Sequence, residues 1–146
     1  MRITSPAFKH QEAIPSKYTC DAEDLNPPFV FSDMPASAKS LVLIHDDPEA
    51  TAGTWVHWTL WNIAPDTREL RENSVPVGAV QGITSFENYK YGGPCPPSGT
   101  HHYRFKLYAL DIMLDLPVST NAEALETAMQ GHILAQAGLV GLYQRK

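Results

Sequence analysis

In the stretch Tyr103-Arg104-Phe105-Lys106-Leu107-Tyr108-Ala109-Leu110, Tyr103, Phe105, Leu107 and Ala109 fall on one face and Arg104, Lys106, Tyr108 and Leu110 on the other. A period of two is the signature of an extended strand. Val56 to Ile63 repeats the pattern, with His57, Thr59, Trp61 and Ile63 set against Trp58, Leu60 and Asn62, and Leu41 to Asp47 reads as a buried strand. These three segments are the expected central strands. Phe29 to Ser32 adds a further extended piece after Pro27-Pro28, and Pro35 with Ser37 marks a turn before Leu41.

One helix stands against this pattern. Thr120 and Glu123 have the spacing of a capping box, and Ala122, Leu125, Ala128 and Met129 supply helix formers on one face, so a helix is predicted over 121–130, ended by Gly131. Ile133 to Tyr143 returns to alternation and reads as a last strand, with a continued helix as the rival. The expected fold is therefore mainly β, an antiparallel β-sandwich with one late α-helix. A chain of 146 residues, 43% hydrophobic, fits a single domain over 1–146.

Composition narrows function. Eleven Lys and Arg against sixteen Asp and Glu leave a net charge of −5, with no basic cluster, so no nucleic-acid partner is expected. No stretch has the apolar length of a membrane helix and the first residues are unlike a secretory signal, so no membrane insertion and a cytoplasmic location are expected. Cys20 and Cys95 are too few for a disulfide framework; one bridge and two buried thiols both remain open.

The chemistry concentrates in Tyr91-Gly92-Gly93-Pro94-Cys95-Pro96-Pro97-Ser98-Gly99-Thr100-His101-His102-Tyr103. Proline fixes the backbone and glycine permits close approach, a combination suited to a rigid cradle. Directly after it, His101 and Tyr103 share one strand face. Asp47, before Pro48, sits at the rim of its strand, and His57 lies among Trp55, Trp58 and Trp61. A carboxylate, two imidazoles and a phenol together offer the donors and the acceptor that a phosphate or carboxylate group needs. Each has a plainer reading: His57 as a core histidine bonded to a carbonyl, Asp47 as a turn cap, Tyr103 as a sheet aromatic, the tryptophans as packing.

Ile3-Thr4-Ser5-Pro6-Ala7-Phe8, Tyr18-Thr19-Cys20-Asp21, Asn26-Pro27-Pro28, Asp47-Pro48-Glu49-Ala50, Val56-His57-Trp58, Gly93 to Gly99, His101-His102-Tyr103 and Gly131-His132-Ile133-Leu134-Ala135 occur in an order that resembles the phosphatidylethanolamine-binding proteins, also called Raf kinase inhibitor proteins, in their shorter bacterial and archaeal branch. The resemblance spans nearly the whole chain. It implies a sandwich with a large antiparallel sheet and a pocket for phosphate, acetate or phospholipid head groups. Asp47 then matches the first Asp of the family's Asp-Pro-Asp-Ala-Pro motif, His57 its pocket histidine, His101 and Tyr103 its His-Arg-Tyr motif, and Pro96-Pro97 the pocket's proline rim. Glu49, Thr51 and His102 depart from the family's Asp, Pro and Arg, which bears on ligand choice.

The expected function is non-catalytic binding of a small anionic group by Asp47, His57, Pro96, Pro97, His101 and Tyr103, with no cofactor. Regulation of a kinase or protease by protein contact is the alternative, since animal members of the family bind kinases and some fungal relatives inhibit a carboxypeptidase. A homodimer is also expected. A catalytic reading would use Cys95 as nucleophile with His57 or His101 as base, or a metal on Asp47, His57 and His101. Because a carboxylate opposes a phosphate dianion, the ligand is expected to bring a proton to Asp47, to bind more tightly near pH 6 than near pH 8, and to lose this dependence in Asp47→Asn.

Overall fold

The computed structural model describes residues 1–145. A three-stranded sheet holds β1 (Arg2–Thr4), β3 (Phe29–Ser32) and β6 (Glu69–Leu70). A six-stranded sheet runs in the order β2 (Glu12–Ala13), β9 (Ile133–Tyr143), β8 (His101–Leu110), β4 (Ser40–Asp47), β5 (Trp55–Ile63), β7 (Val80–Gln81). All pairings are antiparallel except β2 with β9. The three expected central strands, β8, β4 and β5, are adjacent in the larger sheet, and the last segment is a strand, not a continued helix.

The strand period assigns the two faces of the large sheet. Leu41, Leu43, Trp58, Leu60, Phe105 and Leu107 pack with Phe29, Phe31 and Ile3 in the main core between the sheets. Val42, Ile44, Trp61 and Leu110 face the opposite way and meet Leu125 and Met129 of α1 (Ala122–Met129) in a second, smaller core. Each buried Leu, Ile or Phe contributes about 1.5–3 kcal/mol relative to exposure, so these two clusters are the principal driving force.

The alternation expected along β5 breaks at Asn62. This residue adopts φ 55°, and Ile63 joins Leu60 in the main core instead of sharing a face with Trp61. Asparagine tolerates the left-handed region. Its side chain also holds the break in place, donating to the Leu114 carbonyl at 2.7 Å and accepting from the Leu114 N–H at 2.8 Å.

The helix is where expected, but its cap is Asn121 and not Thr120. The Asn121 side chain accepts from the Ala124 N–H at 2.9 Å, and Gly131, at φ 82°, follows the helix end. Asn121→Ala is expected to cost about 1 kcal/mol, read as a shift in the urea midpoint.

Candidate functional site

Where β4 ends, Asp46 turns to the outer face and Asp47 to the inner one. Asp46 is buried and held by Arg104 (Nε 2.7 Å, Nη2 3.0 Å) and Lys106 Nζ at 2.8 Å. With the end of the strand fixed in this way, Asp47 stands across from the start of β8. Its Oδ2 accepts from His101 Nδ1 at 2.7 Å and its Oδ1 from the Glu49 N–H at 2.8 Å. Both carboxylate oxygens therefore have protein donors. Asp47 orients His101, and each of its oxygens already accepts one hydrogen bond from the protein.

His57 reaches the same space from β5. Its Nδ1 donates to the Gly92 carbonyl at 2.8 Å, and the Gly92 N–H returns a bond to the His57 carbonyl at 3.0 Å. Burial holds the imidazole below its ordinary pKa of 6.5, against the raising effect of the Gly92 carbonyl and the nearby Asp47 and Asp46. Nδ1 is thus committed, and Nε2 is the nitrogen left for a ligand. Burial and then the Asp47 carboxylate push the Tyr103 hydroxyl above its ordinary value of 10, so it remains a proton donor.

The Gly-Pro loop closes the other side and is tied down along its length. Gly93 donates to Asp24 Oδ1 at 2.8 Å, the Cys20 N–H donates to the Pro94 carbonyl at 3.2 Å, and Cys20 and Cys95 form a disulfide. Glycine is required at 93: a Cβ there would overlap the Tyr18 carbonyl, Thr19 Cα and Asp24. The bridge settles the question left open for the two cysteines and leaves Cys95 without a free thiol to act as a nucleophile.

The result is an open hollow of about 410 Å³ whose lining includes all six expected residues, Asp47, His57, Pro96, Pro97, His101 and Tyr103. Trp55, Phe86, Cys95 and the Ala50–Ala52 turn complete it. Trp55 and Phe86 meet edge to face at 5.4 Å, and Phe86 stands edge to face over His57 at 5.3 Å. Trp55, read above with the tryptophans as packing, is about one-third exposed, whereas Trp58 and Trp61 are buried core. His102 bonds Glu49 outside the lining, at 2.6 Å. Among the described residues, no three His, Cys, Asp or Glu side chains are arranged to share a metal ion.

Behind His57 lies His45, which the pattern of its strand did not distinguish. It is fully buried and stacked on Phe105 with ring centroids 4.0 Å apart; its Nδ1 donates to the Arg104 carbonyl at 3.1 Å and its Nε2 has no partner. Burial, then the neighbouring His57, hold its pKa well below 6.5. In the unfolded chain it titrates at its ordinary value, so its contribution to stability is complete above pH 6.5 and is lost progressively as pH falls toward the folded value. Urea unfolding at neutral pH and at about pH 5 should show the wild type weakening on acidification and His45→Phe weakening less.

The family profile described as phosphatidylethanolamine-binding protein matches residues 4–144. The chain belongs to the phosphatidylethanolamine-binding protein family. A UPF0098 protein of Methanothermobacter thermautotrophicus is 47% identical over 150 residues, covering 99% of each chain. Among solved structures, a phosphatidylethanolamine-binding protein homologue from Chlamydia trachomatis is 41% identical, with a TM-score of 0.96 over 99% of this chain and 97% of its own. Escherichia coli YbcL, described as a member of the mammalian family, is 28% identical, with a TM-score of 0.92 over 99% and 98%. The mainly β fold with its late helix is therefore that of a phosphatidylethanolamine-binding protein. No helix among the described residues is long and apolar enough to cross a membrane.

Proposed function

We propose that the chain is a non-catalytic binding protein whose pocket takes a small anionic group, a phosphate or the phosphate of a lipid head group. The observation that carries this reading is the convergence of His57 Nε2, His101 and the Tyr103 hydroxyl on one hollow, with Asp47 already satisfied by His101 and Glu49. The Tyr103 hydroxyl donates as it stands, the Nε2 of each ring donates once that ring is protonated, and the Asp47 oxygens already accept protein hydrogen bonds. The relatives' description as phosphatidylethanolamine-binding proteins supports the same class of ligand.

Two features shape the ligand. The walls are largely apolar, with Trp55, Phe86, Pro96 and Pro97 suited to the carbon skeleton beside a phosphate. Glu49, outside the lining and bonded to His102, supplies negative charge near a cationic head group such as ethanolamine. Regulation of a kinase or protease is the second reading, favoured by the exposure of Trp55 and Phe86 at the mouth. As to location, a disulfide between Cys20 and Cys95 favours an oxidising compartment over the cytoplasm expected above, and cell fractionation with thiol trapping distinguishes them.

The test follows Trp55 fluorescence during titration with inorganic phosphate and with phosphoethanolamine. Saturable change with both, weakened about tenfold in His101→Ala, is the expected outcome. No saturation with either, in protein shown to be folded, would reject an anion pocket.

A further inference from the structure

A second hollow, of about 490 Å³, lies where the free edge of β1 meets the part of β9 that β2 leaves unpaired. Its floor is apolar, from Ile3, Phe8 and Leu139. Its charged and imidazole groups are Arg2, Lys9 and His10, all exposed, and its lining contains no Asp or Glu, although the whole chain carries −5.

The edge of β9 beside this hollow is unfinished. The Val140 N–H donates to His10 Nδ1 and the Val140 carbonyl accepts from Gln11; the Leu142 carbonyl accepts from Ile14. The even-numbered residues thus point their peptide groups away from β8, while β2 covers the edge only at Gly141 and Leu142. By the same alternation Gln136 and Gly138 present N–H and C=O outward, and neither has a backbone partner on that side among the described residues. Most exposed edges carry a charge or proline that blunts pairing. The run Ala135-Gln136-Ala137-Gly138-Leu139 has neither, and a Cβ at Gly138 would meet open space.

We propose that this flank binds an extended acidic peptide segment, which adds a strand to the open edge of β9 while its carboxylates meet Arg2, Lys9 and His10. Backbone pairing to Gln136 and Gly138 supplies direction and register, and the hollow receives alternate side chains. The positive surround selects an acidic partner over a second copy of this chain, whose own hollow carries the same cations and no carboxylate.

The probe is a fluorescein-labelled acetyl-(Glu-Val)4-amide, followed by anisotropy and by hydrogen exchange on the intact protein. Binding should fall about tenfold or more in Arg2→Glu/Lys9→Glu, and the amides of Gln136 and Gly138 should gain protection while those of Ala137 and Leu139, already paired to β8, do not change. A peptide N-methylated at alternate residues should bind about tenfold more weakly. Equal binding of the methylated peptide would reduce the contact to charge alone and overturn the proposal. So would absence of binding at about 1 mM peptide, displacement of the peptide by inorganic phosphate, or protection of Gln136 and Gly138 through self-association before peptide is added.

Discussion

Replacing Cys20 and Cys95 together by serine should lower stability by about 4 kcal/mol, the largest effect expected of any change outside the core. The bridge closes a loop with a sequence separation of 75, and restricting so long a loop removes much of the freedom of the unfolded chain. The native loop keeps other ties: Gly93 to Asp24, Cys20 to the Pro94 carbonyl, and the Tyr91 hydroxyl to the Tyr18 carbonyl at 2.8 Å. The loss should therefore appear chiefly as a lower melting temperature, by about 8–16 °C for a domain of this size, with the fold retained. Scanning calorimetry of oxidised, reduced and double-serine protein measures it. A reduced protein that melts with the oxidised one would show that the bridge does not constrain the unfolded chain.

The second large effect concerns His57. Burial depresses its pKa in the empty pocket, and an anion bound at Nε2 favours the protonated ring and raises it again. The complex therefore takes up a proton on forming. Affinity rises as pH falls through the interval between the two values and is flat above and below it. The free value lies below 6.5 and the bound anion raises it toward neutrality, so binding should be stronger near pH 6 than near pH 8. His57→Gln should lose this dependence and about tenfold or more in affinity at the lower pH, the worth of one charge-assisted hydrogen bond of about 1.5–3 kcal/mol. Sulfate separates the protein's proton from the ligand's, because its charge is constant over this range, and the dependence should persist with it.

The four long strands of the large sheet were legible because eight to eleven extended residues leave little else to form. The two-residue strands β2, β6 and β7 were not, since two residues have no period and are held by tertiary pairing alone. Asn62 shows a different limit. Its side chain pays for a left-handed residue by binding Leu114, more than fifty positions away, and nothing in its own segment announces that partner.

At the site, Asp47, His57, His101 and Tyr103 stood out by chemistry and by the resemblance they carry, and the structure brings them to one hollow. Their hydrogen bonds did not stand out. That Asp47 accepts from His101 and from the Glu49 N–H gives it a part in setting a ring's orientation, which its own segment does not announce. Phe86 sits in a short irregular segment where an aromatic residue has no pattern to mark it, and His45 hides in an apolar run as one more buried strand residue. For Trp55 a signal existed in its place at the very start of β5, nearer the open end than Trp58 and Trp61. The pairing of Cys20 with Cys95 needed the packing of Gly93 on Thr19, which only the folded backbone reveals.

Isothermal titration of sulfate and of phosphate into the wild type and His57→Gln, at about pH 6 and about pH 8, tests the anion pocket most directly. The account predicts saturable one-site binding of both anions by the wild type, tighter at the lower pH, and a weakened response in the variant that is pH-independent with sulfate. Wild-type binding that is absent, or equal or stronger at the higher pH, would contradict it.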